Sequence, residues 1–231
     1  MLASASKTAP NRGALHPFDA KYGTDTGGYL GPEELVKGRI NDAHNYGYSA
    51  VAPSVFREAC RRWRETLPEV SGRIEAYSFV DVGAGKGRAV LLAAQLPFRK
   101  AIGVELSDEL TRIAQRNAAR YSQVARSKAK LRLVQGDATK FRWPRTPLLV
   151  YLYNPFACQV VAQVAEKLAA TAASGSGLID LLYVNPTCTD TLMRQGLFRR
   201  LWTGQIAMDE ADQKADPYGT TWDRVSLFRL K

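Results

Sequence analysis

An aspartate and three glycines stand together in Asp81-Val82-Gly83-Ala84-Gly85-Lys86-Gly87, where the apolar run Tyr77–Val82 ends. Glycines let a backbone turn sharply and let a ligand approach closer than a Cβ would permit. Glu105 closes the next apolar run, and a carboxylate there can accept hydrogen bonds from both hydroxyls of a ribose. The other reading of Glu105 is a surface acid at a strand end. Spacing separates nucleotide classes. The nicotinamide fingerprint G-x-G-x-x-G would need glycine at position 88, where Arg88 stands. Two further groups follow similar runs. In Gln135-Gly136-Asp137-Ala138, Asp137 either caps a turn or meets a ligand. In Asn154-Pro155-Phe156, the Asn154 side-chain oxygen and nearby backbone carbonyls can accept N–H bonds and aim the lone pair of an amine nucleophile. Pro155 would fix the turn, and Phe156 can pack against a base or a cationic amine. The plainer alternative is a strand-end turn carrying a core phenylalanine.

These residues need a frame, and the chain from residue 77 onward supplies one. Tyr77–Val82, Ala101–Leu106, Leu131–Gln135, Leu148–Tyr153 and Gly177–Tyr183 are short apolar runs of strand length. Helical stretches alternate with them: Gly87–Leu96, a segment capped by Ser107, and one marked by Val160, Val161, Val164, Ala165 and Leu168. Asp108 and Glu109 carry the favoured sign for the first turn after Ser107. In that helix Leu110, Ile113, Ala114, Ala118 and Tyr121 recur as a buried stripe, while Arg112, Arg116 and Arg120 occupy another face. Phe198–Ile206 and Trp222–Leu230 read as a closing antiparallel pair separated by an acidic loop. Such alternation implies a mainly parallel sheet covered on both faces, with ligands beyond the carboxyl ends of its strands. Each group singled out above falls at such an end.

Upstream, the Gly- and Thr-rich stretch Gly23–Gly31 reads as an irregular loop, and Pro53–Leu67 as a helix that Pro68–Gly72 breaks. The expected division is a disordered start over 1–20, a lid or helical extension over 21–72, and the main domain over 73–231. Hydroxyl-rich segments ahead of such a domain can close over a ligand, so Tyr22, Thr24 and Thr26 are candidate contacts. A second Asn-Pro pair, Asn185-Pro186, either lines an acceptor pocket or forms a rigid turn.

Whole-chain properties narrow the class. A length of 231 residues suits one α/β domain. No apolar run nears the roughly 20 residues that span a bilayer, and the first twenty positions lack the apolar core of a secretory signal. They are Ala/Ser-rich and free of acid before Asp19, a composition shared with organellar transit segments. Cys60, Cys158 and Cys188 are far apart with no Cys-x-x-Cys pair, which argues against structural zinc and a disulfide framework, and fits a reducing cytoplasm. His16 and His44 are isolated and read as turn or surface residues. The formal net charge is +10. Residues 111–132 hold seven basic side chains and no acid, and Arg57, Arg61, Arg62 and Arg64 form a second group broken by Glu58. Such clusters are either solvated faces or attract an anionic partner.

The pattern acid-x-G-x-G-x-G at Asp81–Gly87 resembles the first motif of class I methyltransferases that use S-adenosyl-L-methionine. That resemblance implies a Rossmann-like, seven-stranded, mostly parallel sheet with helices on both faces and an antiparallel C-terminal strand pair. It places the cofactor on Asp81, Val82, Gly83, Ala84, Gly85, Glu105, Leu106, Asp137, Ala138 and Asn154, with Asp81 near the methionine ammonium and Asp137 on the adenine amino group. Asn154-Pro155-Phe156 partly matches the (Asn/Asp)-Pro-Pro-(Tyr/Phe) motif of amino-methylating nucleic-acid enzymes but lacks its second proline. Tyr48–Glu58, Phe79–Gly83 and Gly103–Glu105 are similar to the non-SET histone-lysine methyltransferases, and more so to bacterial relatives sharing the opening Tyr22–Thr26. There the segments corresponding to Tyr48 and Pro53–Phe56 help to close the site. Pro155 departs from the Asn-Asn-Phe turn of the histone enzymes, so the resemblance does not carry over a histone substrate.

Methyl transfer to a nitrogen is therefore expected, with Asn154, Pro155 and Phe156 at the transfer site. The acceptor expected is macromolecular, a protein lysine or a nucleic-acid base, possessing or accompanied by negative charge. Small-molecule methylation and a non-catalytic cofactor-binding module are the alternatives. No metal is required for such chemistry.

Overall fold

The computed structural model describes residues 15–35, 47–68, 73–154, 156–175, 177–194, 196–216 and 219–231. Its first elements are α1 (Pro17–Tyr22), β1 (Tyr29–Leu30), α2 (Pro32–Leu35) and β2 (Tyr48–Ser49), with β1 and β2 paired antiparallel. Then follow α3 (Pro53–Glu65), β3 (Ser78–Val82), α4 (Arg88–Ala93), β4 (Lys100–Glu105), α5 (Asp108–Val124) and β5 (Lys130–Gln135). The chain continues through β6 (Leu148–Tyr153), α6 (Cys158–Ala173), β7 (Ile179–Val184), α7 (Thr189–Arg194), β8 (Phe198–Ala207), α8 (Glu210–Ala215) and β9 (Trp222–Leu230).

Seven strands form one sheet in the order β5-β4-β3-β6-β7-β9-β8. The first five are parallel, while β9 runs antiparallel to both β7 and β8. This is the Rossmann-like architecture that the methyltransferase resemblance implied, and its parallel strands are those expected from the alternation of elements. Every residue of β3 and β7 is buried, as continuous apolar strands require when both faces are covered. Alternate side chains go to opposite layers. Phe79, Tyr151 and Leu227 join the layer beneath α3, α4 and α5; Val80, Val150 and Phe228 join the layer with α6. The order reverses at β3, with β4 on one side and β6 on the other, so the ligand crevice of such a sheet opens there.

Two helices show how the sequence sets this frame. Pro53 begins α3, where its missing N–H costs nothing, and Val55, Phe56, Ala59, Cys60 and Trp63 form its buried stripe. Trp63 Nε1 donates to Asp180 of β7 at 2.8 Å, and Arg229 of β9 clasps the same carboxylate at 2.6 and 3.0 Å. In α5 the Ser107 hydroxyl accepts from Leu110 N, and the expected stripe is buried at Leu110, Ala114 and Tyr121, with Ile113 and Ala118 half-buried. Asn117 completes that stripe, which apolar periodicity alone does not reveal.

Several expectations are corrected. Residues 15–20, placed in a disordered start, belong to ordered structure, and Pro17 opens α1; residues 1–14 lie outside the described residues. Phe18 and Tyr22 hold that helix by burial, with the Tyr22 ring 4.8 Å from Tyr121. His16, read as a turn or surface residue, is buried. Its Nδ1 accepts from Phe18 N at 2.9 Å while Nε2 lies 2.7 Å from Asp212. His44 lies outside the described residues. The acidic loop contains α8, because Asp209 caps it by accepting from Asp212 N. Cys158 and Cys188 form a disulfide, whereas their wide spacing argued against a disulfide framework. They are 30 residues apart, and the parallel pairing of β6 with β7 brings the segments that follow each strand together.

Candidate active site

β3 delivers Asp81 to the crevice, 4% exposed and level with Gly103 and Tyr151 on the flanking strands. Burial, reinforced by the negative charge of Glu105, pushes the Asp81 carboxyl well above the usual carboxylate range. After Asp81 the chain turns on Gly83, Gly85 and Gly87, each in the left-handed region. Gly83 N and Ala84 N donate to Val104 O at 2.9 and 3.1 Å, so the turn is tied to β4. Glu105 ends β4 and braces the turn directly. One carboxylate oxygen accepts from Gly85 N at 2.8 Å, and the other from Ser107 N at 2.8 Å.

Tyr48 lies over this turn. A Cβ at Gly85 would stand 2.1 Å from Tyr48 Cε2, so the close approach admits glycine alone. The Tyr48 hydroxyl donates to Thr26 O at 2.6 Å, and burial raises its phenol so that the proton stays in that bond. Tyr48, in the segment before α3, thus covers the glycine turn. Pro53–Phe56 play another part: Val55 and Phe56 are fully buried, and the Phe56 ring packs 5.7 Å from Phe79 and 5.6 Å from Tyr151.

Two cavities flank the Glu105 brace. The first lies between residues 47–51 and the strand ends, lined by Asp81, Gly83, Ala84, Tyr151 and Tyr153. The Tyr151 hydroxyl is buried beside it with no hydrogen-bond partner among the described residues. The second cavity is apolar and lined by Leu106, Gly136, Asp137, Ala138, Phe156 and Val160. There Asp137 accepts from Thr139 N at 2.8 Å and Thr139 Oγ1 at 2.7 Å, so it caps a 3-10 turn, Ala138–Lys140, while facing the cavity.

Tyr153 lines the first cavity and Phe156 the second. Asn154, between them, has φ +40°, a left-handed conformation uncommon outside glycine and enriched in asparagine. Its Oδ1 accepts from Thr187 Oγ1 at 2.7 Å and Tyr183 Oη at 3.3 Å. Thr187 precedes the disulfide residue Cys188, and Cys158 opens α6 four positions beyond Asn154. Asn185 repeats the strained conformation at the end of β7, with φ +46°. It donates from Nδ2 to buried Asp223 at 2.7 Å, consistent with a rigid turn.

Other sequence candidates lie elsewhere. Pro155 is outside the described residues. Phe156 lines the second cavity and joins the apolar layer with Val160 and Val161, away from the Asn154 amide contacts. Val82 is wholly buried in the same layer, so it carries the glycine turn without lining either cavity. Tyr22 packs against Phe18 and Tyr121, and its hydroxyl accepts from Gln95. Thr24 and Thr26 are consumed by Asp19: both hydroxyls donate to its Oδ1 at 2.6 Å, and Thr26 N does so at 2.9 Å. Tyr22 and Thr26 do not line the first cavity.

Arg88 explains why that segment docks. Read in the sequence only as a missing glycine, it is buried and donates to Asp19 Oδ2 at 3.0 Å and Thr26 Oγ1 at 2.7 Å. Asn117 adds a second clasp, donating to Asp25 O and Lys86 O while accepting from Asp25 N. The arginine directly after Gly87 and a polar residue within an apolar stripe were the available signals.

With this geometry in hand, known proteins place the chain. Residues 80–169 match the family described as "Methyltransferase domain". The matched stretch runs from β3 into α6 and contains Asp81, the glycine turn, Glu105, Asp137 and Asn154. The fold resembles TrmN from Thermus thermophilus, with 15% identity and a TM-score of 0.50, over 78% of this chain and 49% of that one. It also resembles MtNAS in complex with MTA and tNA, with 12% identity and a TM-score of 0.50, over 76% and 60% respectively. A ribosomal protein L11 methylase from Lactobacillus delbrueckii subsp. bulgaricus aligns at 13% identity and a TM-score of 0.47, over 77% of each chain. The chain thus spans about half the length of TrmN. No curated protein is a significant sequence match. Among the described residues, no helix is long and apolar enough to cross a membrane.

Proposed function

We propose that this protein transfers a methyl group from S-adenosyl-L-methionine to a nitrogen of a macromolecular acceptor. One observation carries the reading: two cavities lie at the strand ends, one lined by Asp81, Gly83 and Tyr153 and the other by Leu106, Asp137 and Phe156, with Asn154 directly after Tyr153. In this reading the methionine end enters the first cavity. Asp81 faces its ammonium, and the unpartnered Tyr151 hydroxyl gains a polar neighbour. The ribose hydroxyls reach Glu105, and adenine lies by Leu106, Asp137, Ala138 and Phe156. Phe156 serves as an adenine contact in this arrangement, and the transfer role falls to Asn154.

The bound sulfonium supplies an activated methyl, so the protein has mainly to align the nucleophile and exclude water. Asn154 is fixed by Thr187 and by its turn, which suits it to receive an N–H of the incoming amine. The longer Tyr183 contact at 3.3 Å is the one such an N–H would displace. Asn154→Ala should lower turnover at least about tenfold, since one transition-state hydrogen bond is worth about 1.5 kcal/mol, while cofactor affinity stays unchanged. Equal turnover would remove Asn154 from the transfer step. Radiolabelled methyl transfer into fractionated cell extract tests the acceptor class: label in RNA, DNA or protein is expected, and label in small metabolites alone would contradict the reading.

Asp81 yields a pH prediction. Its pKa is raised in the fold, so the folded protein holds a proton there that the unfolded chain releases above about pH 3.9. Its contribution to stability is therefore fully present below that ordinary value and is lost as pH rises through the raised one. A ligand ammonium favours the carboxylate and expels the proton. Calorimetry of S-adenosylmethionine binding at mildly acidic pH, in buffers of different ionisation heat, should detect proton release. Asp81→Asn should abolish it. Release that persists in the variant would assign the proton to another group.

A further inference from the structure

The strongest feature outside the site is the charge on the β5 edge of the sheet. Residues 112–145 contain ten Lys or Arg and a single acid, Asp137. Arg116, Arg120, Lys128, Lys130, Arg132 and Lys140 are all exposed. Among the described residues of this stretch, Arg112 alone makes an ion pair, with Asp108 one helical turn away. The other basic cluster is different. On α3, Arg61 and Arg62 bind Glu58, and Arg61 also binds Glu65, pulling the Glu58 carboxyl down to about 2. The α3 cluster contains much of its own counter-charge, whereas the β5 edge does not.

The uncompensated cations are also ordered in space. β5 is an edge strand, with β4 as its single neighbour. Leu131 and Leu133 turn toward the layer containing Tyr121 of α5, so Lys130 and Arg132 alternate onto the opposite face. Positions two apart on a strand are separated by about 6.7 Å, and positions four apart on a helix by about 6 Å. Lys130 and Arg132 thus form one regularly spaced row, and Arg116 and Arg120 another, around a single sheet edge. Such rows match a chain of evenly repeated phosphates better than the irregular carboxylates of a folded protein. The track ends in a groove that Gln135 lines with Arg112 and Arg116, and that Asp108 and Glu109 also line at the start of α5; Gln135 directly precedes Gly136 and Asp137.

We propose that the β5 edge and the outer face of α5 form a nucleic-acid-binding surface, engaging the phosphate backbone without base readout. The inference deepens the methyltransferase reading, on which it rests, by assigning the acceptor to a nucleic acid. Neutralising phosphates releases counterions, so affinity should fall steeply with salt.

Binding of the full chain to fluorescent single-stranded RNA and to DNA of the same sequence, measured by anisotropy across a salt series, tests the proposal. If four or more phosphates are neutralised, the slope of log K against log salt should be about −3 or steeper. The triple variant Arg116→Glu, Lys130→Glu, Arg132→Glu should lose at least tenfold in affinity and show a slope smaller in magnitude by about 2. The same charge change on α3, Arg57→Glu with Arg61→Glu and Arg64→Glu, should change affinity less than twofold. Absence of binding, a salt-independent affinity, equal losses from both variants, or competition by polyglutamate as effective as that by RNA would each overturn it. S-adenosylmethionine binding, measured in parallel, should be native in the β5-edge variant. Loss of cofactor binding by the native protein would count against the methyltransferase reading alone, since the salt series would still report on this surface.

Discussion

Asp19→Ala should destabilise the folded protein by about 3–5 kcal/mol, the range for breaking one side of a buried ion pair. Asp19 is 2% exposed and Arg88 is 5% exposed. The substitution would leave the Arg88 guanidinium in the interior without its carboxylate. It would also remove the acceptor of three hydrogen bonds, from Thr24 Oγ1, Thr26 N and Thr26 Oγ1. Thr26 in turn offers its carbonyl to Tyr48, which covers the glycine turn. The loss should therefore reach the site, with weaker cofactor binding beyond what partial unfolding explains. Urea denaturation monitored at constant m-value measures the first effect, and calorimetry on the remaining folded protein measures the second. Arg61→Ala on the exposed face of α3 is the control. Its ion pairs are solvated, and the unfolding midpoint should scarcely move. A midpoint equally unmoved in Asp19→Ala would show that the N-terminal segment does not depend on this pair.

The second large effect is expected at Gly85. Alanine there meets a positive φ of +53° and a Cβ contact of 2.1 Å with the Tyr48 ring. The left-handed backbone alone costs about 1–2 kcal/mol. Tyr48 is buried and bonded to Thr26 O, so relieving the overlap means breaking that bond or shifting the turn away from Glu105. S-adenosylmethionine affinity should fall by at least about tenfold, equivalent to 1.4 kcal/mol. A double-mutant cycle makes the cause visible. Because Tyr48→Ala removes the opposing ring, Gly85→Ala/Tyr48→Ala should be less impaired than the two single losses added together. Additive losses would mean that Tyr48 does not press on the turn.

Both predictions concern contacts of uneven visibility in the sequence. Apolar runs located the sheet, and the ends of β6 and β9 fall where those runs stop, at Leu148–Tyr153 and Trp222–Leu230. The spacing of Gly85 and Glu105 was also informative, since a strand–turn–helix unit fixes their relation locally. Pairings between distant segments were not legible. Asp19 meets Arg88 across 69 positions, and His16 meets Asp212 across 196. Periodicity reports which face of an element is buried, but it does not say which remote charge enters that face. Arg88 therefore read as the absence of a glycine, although it binds Asp19 and Thr26 of the N-terminal segment. Cys158 and Cys188 were misread for a related reason. Each follows a strand end, and only the parallel pairing of β6 with β7 makes them neighbours. Phe156 shows a limit of motif matching, because its position after Asn154 suggested the transfer site while the fold turns it toward Asp137.

The cofactor site proposed above centres on Asp81, Gly85 and Glu105. Titration calorimetry of the full chain with S-adenosyl-L-methionine, with NAD as comparator and Glu105→Ala as the variant, tests it most directly. The expected result is saturable binding of S-adenosylmethionine, no detectable binding of NAD, and a loss of about 1.5–3 kcal/mol in the variant if Glu105 receives the ribose hydroxyls. Tight binding of NAD, or S-adenosylmethionine affinity unchanged by Glu105→Ala, would contradict it.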